Sequence, residues 1–293
     1  MSKASVSKKH LGNALYYVFL IPVAIIMILP FYWSLITSFK YNEDIFAIPI
    51  IWIPNRITLQ HYIDAFTTVT YTRYFANSFY LATMGVISNL FFGSLGGYAF
   101  AKLRFKGKNF IFRVLLSSFM VPGIVTMIPQ FLVLKNFPLA GGNDILGRGG
   151  IGLLNSYWAI ILPGAAGAYA VFFMRQFYLT LPTELAEASR IEGAGEFRIF
   201  WSIYMPLTKP ALAALAIFTF QAGWNNFLWP MIVLNDPQKA TIQMGLQAFS
   251  YNRNTEYGAM MAGSLIAIIP MLVLFVFAQK YFVKGIAFSG IKV

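Results

Sequence analysis

The chain has 293 residues, of which 58% are hydrophobic and 11% are charged, and its formal net charge is +12. Several uncharged stretches are long enough to cross about 30 Å of hydrocarbon, so the composition predicts a multispanning α-helical membrane protein. Cysteine is absent, which excludes disulfides and thiolate metal sites, and the basic residues flank the uncharged stretches, which favours membrane orientation over nucleic-acid binding as the reason for the charge.

Six stretches are predicted to span the membrane, and none of them contains Asp, Glu, Lys or Arg. A charged residue at the centre of such a helix costs about 2.5 to 3.5 kcal/mol on insertion scales. We therefore predict an all-α polytopic fold in which residues 1–293 form a single transmembrane domain. The predicted spans are residues 14–39, 76–101, 114–134, 154–174, 210–235 and 257–279.

The first span follows Lys3, Lys8 and Lys9, as the apolar part of a signal peptide would. The apolar part of a signal peptide has about 7 to 15 residues. The first span is longer than this and has no small-residue cleavage site, so we expect it to remain as a helix. With the N-terminus inside, the inner segments hold 15 basic residues and the outer segments 7. This asymmetry predicts that both termini are cytoplasmic.

Proline and small residues mark the interiors of the spans. Proline occurs in every span except the second, which indicates either kinked helices or the ordinary abundance of proline in membrane helices. Glycines in the second span (Gly93, Gly96, Gly97) and the small residues at 164–168 in the fourth predict faces where helices pack closely.

The outer loop at residues 135–153 contains the sequence GGNDILGRGGIG. It has no GK[ST] ending and precedes no suitable helix, so we interpret it as a turn-rich surface loop rather than a phosphate-binding loop. A further outer loop, residues 236–256, contains FSYNRNTE, an aromatic and amide mixture. This mixture is equally compatible with sugar contact and with an ordinary polar loop that has interfacial tyrosines.

The loop between the fourth and fifth spans, residues 175–209, is called the polar loop below. Within it, Thr183 is predicted to cap a helix over 184–192 that carries acidic residues in its first turn. Gly193 is placed for a left-handed turn, and a second helix over 196–205 is expected to end at Pro206. The first helix is therefore predicted to dock onto another protein.

Two features of the first polar-loop helix favour docking. Ala186, Ala188 and Ser189 are small, which lets a groove of another protein close around the helix. Glu187 and Glu192 offer carboxylates to an arginine in that groove.

The polar loop resembles the EAA loop of permease subunits of ATP-binding-cassette importers. The matching pattern is Glu187, Ala188, Ser189, three residues, Gly193, nine residues, Ile203, one residue, Met205 and Pro206, with Ser and Met in place of the usual Ala and Leu. Four further stretches agree: NSF at 77–79, GGYAFAKLRFKGK at 96–108, WNNFLWPMIVLND at 224–236 and AQKYFVKGIAFSGIKV at 278–293. Over essentially its whole length the chain is similar to the smaller permease of maltose-type carbohydrate importers.

The resemblance implies that the chain is a non-catalytic subunit of a transporter in the cell membrane (inner or plasma membrane) of a prokaryote. Its partners would be a second related permease, two ATPase subunits, an extracytoplasmic solute-binding protein and the lipid bilayer, with no nucleic acid. ATP and Mg would be bound by the ATPase subunits, and this chain would hold no cofactor and no metal. The polar-loop residues implied to couple to the ATPase are Glu184, Glu187, Ala188, Ser189, Glu192, Gly193, Ile203 and Pro206.

Two weaker implications concern the outer loop and the tail. Residues Ser250, Tyr251, Asn252, Arg253 and Asn254 resemble, by position, a loop that contacts the binding protein in maltose-type importers. The tail, residues 289–293, resembles one that inserts near the ATPase interface.

Polar side chains at membrane depth are candidates for a sugar route, or for hydrogen bonds between helices. They are Asn89, Gln130, Gln221, Trp224, Asn225 and Asn226, with Trp229 nearby.

An ion-coupled secondary transporter is the alternative function, but such proteins usually carry ionisable groups inside their spans and these spans have none. A membrane-embedded enzyme is disfavoured because His10 and His61 lie outside the spans and no carboxylate pair occurs at depth.

Overall fold

The structure is a computed structural model that describes residues 3–68, 70–250 and 256–289, with side chains over 16–67, 70–250 and 256–277. All regular secondary structure in these residues is helical, which confirms the predicted all-α class. The α-helices are α1 (Lys3–Phe39), α2 (Asn42–Ile45), α3 (Gln60–Thr68), α4 (Tyr71–Ser88), α5 (Ser94–Lys102), α6 (Lys108–Ser117), α7 (Gly123–Lys135), α8 (Trp158–Gly164), α9 (Ala168–Leu179), α10 (Glu184–Ile191), α11 (Glu196–Ile199), α12 (Met205–Leu207), α13 (Lys209–Trp224), α14 (Leu228–Val233), α15 (Ile242–Ala248) and α16 (Tyr257–Ser289).

Four helical segments are long and apolar enough to cross a membrane on their own: Tyr16–Phe39, Tyr71–Lys102, Trp158–Leu179 and Tyr257–Phe277. Two bent pairs pass the same test, Lys108–Met120 with Gly123–Lys135 and Glu196–Leu207 with Lys209–Trp224. The chain therefore has four to six candidate spans, and the predicted number of six is reached when each bent pair crosses once, although the second pair begins at Glu196, inside the polar loop, and not at the predicted residue 210.

The third and fifth predicted spans are not straight helices. The third bends by 108° at residues 121–122, where Pro122 precedes α7 and cannot continue α6. The fifth was predicted as one stretch over 210–235, but α13 ends at Trp224 and α14 begins only at Leu228. Apolar composition predicts burial in lipid but does not report such breaks, because it carries no information on backbone geometry.

By Cα proximity the chain divides into two compact units. The first comprises residues 1–69 and 246–268 and contains α1 to α3. There the Lys40 carbonyl is hydrogen-bonded to His61 Nε2 at 2.7 Å, and the hydroxyls of Ser38 and Tyr62 are 2.9 Å apart. These bonds tie the end of α1 to α3.

The second unit comprises residues 70–245 and 269–293 and contains the elements that carry the candidate site. Helix α9 packs along α5 and the residues just before it, where a Cβ on Gly93 would lie 2.6 Å from the Ala170 Cβ. A Cβ on Gly97 would lie 2.6 Å from the Met174 Cβ and 2.8 Å from the Arg175 backbone nitrogen. The predicted close-packing face of the second span is confirmed, because only hydrogen side chains permit this approach.

The small residues at 164–168 form the predicted close packing only in part, since a Cβ on Gly167 would lie 2.9 Å from Asn89 Oδ1. Helix α8 ends at Gly164 after Pro163, and α9 begins at Ala168, so the cluster breaks the span. A Cβ on Gly164 would meet nothing within 4 Å. Proline removes a backbone donor at this point, and the interruption leaves backbone groups without helical partners inside the candidate span Trp158–Leu179.

Asn89 satisfies the backbone groups that this break leaves without helical partners. Its side-chain Nδ2 donates to the Gly164 carbonyl at 2.7 Å, and its Oδ1 accepts from the Gly167 amide at 3.2 Å. Asn89 itself begins a π-helical turn, Asn89–Gly93, that joins α4 to α5. A broken helix at membrane depth needs such a neighbour because lipid offers no hydrogen-bond partners to its freed backbone groups.

Hydrogen bonds also organise the ends of several helices. Asn77 Nδ2 donates to the carbonyls of Gln238 and Ala240 at 2.9 Å each, and its Oδ1 accepts from the Tyr157 hydroxyl at 2.8 Å. The glycine-rich segment of the 135–153 loop is turn-rich as predicted, and Asn143 bonds it to the carbonyls of Lys135 and Phe137.

Candidate functional site

The polar loop folds into a helix, a tight turn and a second helical segment. Helix α10 ends in a turn in which the Gly193 amide bonds the Arg190 carbonyl and the Ala194 amide bonds the Ser189 carbonyl. Gly193 has a φ of +82°, so the predicted left-handed turn is confirmed. This pair of bonds is the Schellman arrangement, which places glycine at the reversal because other residues pay a steric cost there.

Two local expectations for the polar loop are wrong. Thr183 has helical dihedral angles and its side chain makes no capping bond to α10. Pro206 does not end the second helix but lies in its last turn, because proline is tolerated in the first turn of α12. The segment from Glu196 to Leu207 instead ends where the chain turns by 80° into α13.

Glu196 attaches the polar loop to the end of α5. Its Oε2 accepts a hydrogen bond from the Tyr98 hydroxyl at 2.9 Å, and its Oε1 accepts one from Arg190 Nε at 2.7 Å. The bond to Glu196 raises the pKa of the Arg190 guanidinium above its ordinary value. The carboxylate therefore links α5, α10 and α11 through two charge-assisted bonds.

Further contacts hold the polar loop against the transmembrane helices. Lys102 Nζ donates to the Leu181 carbonyl at 2.6 Å, and the Tyr204 hydroxyl donates to the Pro182 carbonyl at 2.9 Å. A cluster of buried aromatic and apolar side chains lies beneath these bonds. Its members include Tyr98, Met174, Tyr178, Ala186, Ile199, Phe200, Tyr204 and Leu215.

The candidate coupling residues do not share one surface. Glu184, Glu187, Ala188 and Glu192 are exposed on α10 and its end, and Gly193 and Pro206 are exposed as well. Ser189 is half-buried and its hydroxyl bonds the Leu185 carbonyl, while Ile203 packs against the buried cluster. Ala186 is only 2% exposed and faces the transmembrane helices, so the expectation that it lines a groove of another protein is wrong.

A cavity of about 530 Å³ lies between α4, α8, α9 and α13. Its lining contains the side chains of Asn89, Tyr169, Thr219 and Asn226 and otherwise apolar residues, and none of its lining residues is charged. A cavity of this kind offers hydroxyl and amide groups to an uncharged polar molecule.

The structure separates the candidate pore residues into different groups. Asn89 and Asn226 line the cavity, although Asn89 is also bonded between helices as described above. Gln221 and Asn225 are exposed and Gln130 is half-buried, and none of the three lines this cavity. Trp224 is 1% exposed and packs on the rings of Phe75 and Phe220, so it belongs to the core. Trp229 Nε1 donates to the Ala159 carbonyl at 3.0 Å and joins α14 to α8.

The remaining candidates lie at the margins of the described chain. Ser250 is exposed at the end of the α15 region, while Tyr251, Asn252, Arg253 and Asn254 lie outside the described residues. The same holds for residues 290–293 of the tail. No group of three or more His, Asp or Glu residues is placed to hold a metal ion among the residues that the structure describes.

Several residues of this site were not singled out from the sequence. Tyr98, Lys102 and Glu196 hold the polar loop in place, yet they lie far apart in the chain. Tyr98 and Lys102 lie in the stretch GGYAFAKLRFKGK, so the resemblance of this stretch to permeases was the signal in the sequence that could have identified them.

Several apolar spans, a broken intramembrane helix and an anchored polar loop together define a polytopic membrane protein. The chain belongs to the family described as binding-protein-dependent transport system inner membrane component, whose profile matches residues 89–288. It is therefore an inner membrane component of such a transport system, and the ion-coupled alternative is not supported.

Relatives and a solved structure agree with this assignment. The chain is 36% identical to the arabinooligosaccharides transport system permease protein AraQ of Halalkalibacterium halodurans, over 92% of this chain and 93% of the relative. It is 31% identical to the lactose transport system permease protein LacG of Rhizobium radiobacter, over 95% and 96% of the two chains. A chain of a bacterial ABC transporter involved in the import of alginate has the same fold, with a TM-score of 0.80 at 24% identity over 96% and 99% of the two chains.

Proposed function

We propose that the chain forms half of a heterodimeric pore that moves a sugar or oligosaccharide inward by alternating access. The pore would be completed by a second related permease, and ATP hydrolysis by two cytoplasmic ATPase subunits would drive it. An extracytoplasmic binding protein would deliver the solute, and both termini of this chain would be cytoplasmic. In this arrangement the chain has no catalytic role and holds no cofactor.

The polar loop carries this proposal. Its inner side is fixed to α5 by the Tyr98–Glu196 bond and to the aromatic cluster, whereas Glu184, Glu187 and Ala188 on α10 are exposed. A helix that is rigidly attached on one side and exposed on the other is suited to transmit force from a docked subunit to the spans. The exposed carboxylates would pair with basic side chains of the ATPase cleft.

The uncharged cavity supports a neutral sugar as the solute. The names of relatives include transport systems for arabinooligosaccharides, lactose and sn-glycerol-3-phosphate. A glycerol phosphate needs a cationic partner, and the cavity lined by Asn89, Thr219 and Asn226 provides none. Its amide and hydroxyl groups instead match the hydroxyls of a sugar.

Co-purification tests the proposed assembly. The full chain would be tagged, extracted gently from its native membrane, and its partners identified by mass spectrometry in the wild type and in Glu187→Lys. We expect an ATPase and a second permease with the wild type, and loss of the ATPase alone in the variant. Glu256→Lys is the matched control, because Glu256 is an exposed carboxylate outside the polar loop. Recovery of the chain alone in the wild type would contradict the proposal.

A further inference from the structure

A second cavity lies between the polar loop and the segment that follows α5. Its volume is about 770 Å³. It lies at the membrane boundary, because the candidate span Tyr71–Lys102 ends at its wall. The lining consists of Ala101, Lys102, Leu103, Arg104, Phe105, Lys108, Thr183, Ala186, Glu187, Arg190 and Glu196.

The charges around this cavity are unbalanced. Arg190 and Glu196 neutralise one another through their 2.7 Å ion pair. That leaves three cations in the lining, Lys102, Arg104 and Lys108, against the carboxylate of Glu187 in the lining and that of Glu184, which attracts Lys102. None of the three cations forms an ion pair with a carboxylate within the part of the chain that the structure describes.

The three cations keep hydrogen-bond donors available. Lys102 Nζ donates to one carbonyl, that of Leu181, and Lys108 Nζ donates to the carbonyls of Leu103 and Ala101 at 2.8 and 3.3 Å. An ammonium has three donors, so each lysine retains at least one. The guanidinium of Arg104, which has five donors, makes no hydrogen bond within the described residues, and its side chain is exposed.

The positively charged side chains around this cavity also lie close enough to repel one another. Arg104 and Arg175 both repel Lys108 electrostatically. Arg175 is held in place by its bond to the Phe100 carbonyl at 3.1 Å and by the Phe112 ring beneath its guanidinium. An anion bound between Arg104 and Lys108 would relieve this repulsion, which is a physical reason for such a group to occupy the cavity.

A smaller adjoining cavity points to the source of the anion. It has a volume of about 340 Å³, shares Arg104 and Lys108 with the larger one, and is also lined by Phe105 and Phe110. The Phe110 side chain is 66% exposed and that of Phe105 is 41% exposed. Cations beside exposed aromatic rings at the end of a span fit a phospholipid, whose charged headgroup joins apolar chains.

We propose that this cavity binds the phosphate of an anionic phospholipid headgroup, with Arg104 and Lys108 as its principal donors. Arginine is suited to this contact because its planar guanidinium donates two parallel bonds to phosphate oxygens. The bound lipid would bridge the end of α5 and α10, so the lipid composition of the membrane would affect the position of the polar loop. Glu187 belongs both to the lining of this cavity and to the exposed side of α10, so the lipid site adjoins the proposed ATPase contact, whereas its donors Arg104 and Lys108 are not among the coupling residues.

The test measures lipid binding to the purified full transporter in detergent. Affinities for phosphatidylglycerol and phosphatidylcholine with matched acyl chains would be compared in mixed micelles, for the wild type, Arg104→Gln and Lys106→Gln. Lys106 is the matched control, because it is an exposed cation of the same segment that lines neither cavity. Arg104→Gln removes no hydrogen bond of the described fold, so the variant is expected to assemble; size-exclusion chromatography would confirm this.

We expect phosphatidylglycerol to bind more tightly than phosphatidylcholine. Arg104→Gln should weaken phosphatidylglycerol binding about fivefold, since one cation near an anionic surface contributes about 1 kcal/mol. Arg104→Gln combined with Lys108→Gln should weaken it further, and Lys106→Gln should have a smaller effect. Equal affinity for the two lipids, or equal effects of Arg104→Gln and Lys106→Gln, would overturn the proposal.

A competition experiment distinguishes the lipid from a soluble phosphate. Inorganic phosphate and glycerophosphoglycerol would be titrated against bound phosphatidylglycerol. If these soluble compounds displace the lipid only at concentrations far above that of the lipid, the result supports the proposal that the cavity binds a lipid headgroup. Competition at concentrations similar to that of the lipid would show that the cavity is a site for soluble phosphate esters and that the lipid assignment is wrong.

Discussion

The hydroxyl of Tyr98 donates a 2.9 Å hydrogen bond to the carboxylate of Glu196, and this bond joins a transmembrane span to the polar loop. Tyr98 is 3% exposed and its ring contacts those of Tyr178, Phe200 and Tyr204. The ring is therefore held by packing against residues of the polar loop, and the hydroxyl adds a charge-assisted hydrogen bond to the same loop.

Tyr98→Phe should loosen the polar loop without disturbing the aromatic cluster. A hydrogen bond to a charged group contributes about 1.5 to 3 kcal/mol, so we expect an assembled transporter that imports less solute per ATP hydrolysed. Uptake and ATP hydrolysis would be measured together in proteoliposomes. Tyr80→Phe is the control, since the Tyr80 hydroxyl makes no hydrogen bond among the described residues. An unchanged ratio in Tyr98→Phe would show that this bond does not contribute to coupling.

Gly193→Val should disturb the turn after α10 and uncouple transport while membrane insertion continues. The φ of +82° costs a β-branched residue about 1 to 2 kcal/mol or more. A Cβ there would meet nothing within 4 Å, so the effect is conformational rather than steric crowding. Gly195→Val provides the control, because Gly195 has an equally open surrounding but a φ of −72°. Solute uptake at wild-type rates in Gly193→Val would refute this expectation.

Gly97→Ala should weaken the packing of α5 against α9. Its methyl group would lie 2.6 Å from the Met174 Cβ and 2.8 Å from a backbone nitrogen, and overpacking of this kind costs about 1 to 3 kcal/mol. We expect a lower melting temperature of the detergent-solubilised complex. Gly85→Ala should leave it unchanged, since the nearest atom to its Cβ, on Thr219, is 4.0 Å away. Equal melting temperatures would show that α9 moves aside without cost.

Asn89→Leu and Asn226→Leu should separate a structural amide from one that lines the solute route. Loss of Asn89 leaves the Gly164 carbonyl and the Gly167 amide without their partner, at a cost of about 1 to 3 kcal/mol each. We expect Asn89→Leu to lower the melting temperature, and Asn226→Leu to reduce sugar uptake at a nearly unchanged melting temperature. Normal uptake in Asn226→Leu would argue against the cavity as part of the route.

Lys40→Met should stabilise the protein. Lys40 is fully buried and, within the described residues, its Nζ has no hydrogen-bond acceptor, although it lies 4.3 Å from the centre of the Trp33 ring. Burial lowers the pKa of Lys40 below 10.5, despite the nearby Asp44. The unfolded chain therefore binds more protons between the lowered pKa and 10.5, and wild-type stability should rise with pH over that window.

Thermal unfolding as a function of pH tests the role of Lys40. Lys40→Met should melt at a higher temperature than the wild type at neutral pH, and its melting temperature should lack the alkaline rise. A variant that melts lower would show that the contact with the Trp33 ring outweighs the cost of burying the charge.

The sequence by itself determined the all-α membrane class, the approximate positions of the spans and the left-handed turn at Gly193. These features depend on local quantities: the absence of charge over about 20 residues, and the conformational freedom of one glycine. The resemblance in the polar loop was also readable, because its residues lie within a single short segment.

Only the tertiary structure decided which polar residues line a cavity and which support the fold. Asn89 and Trp224 were both candidates for a solute route, yet one bonds a broken helix and the other fills the core. The Tyr98–Glu196 bond joins residues 98 positions apart. Such pairings arise when helices pack, and a linear pattern of residue types contains no record of which side chains then meet.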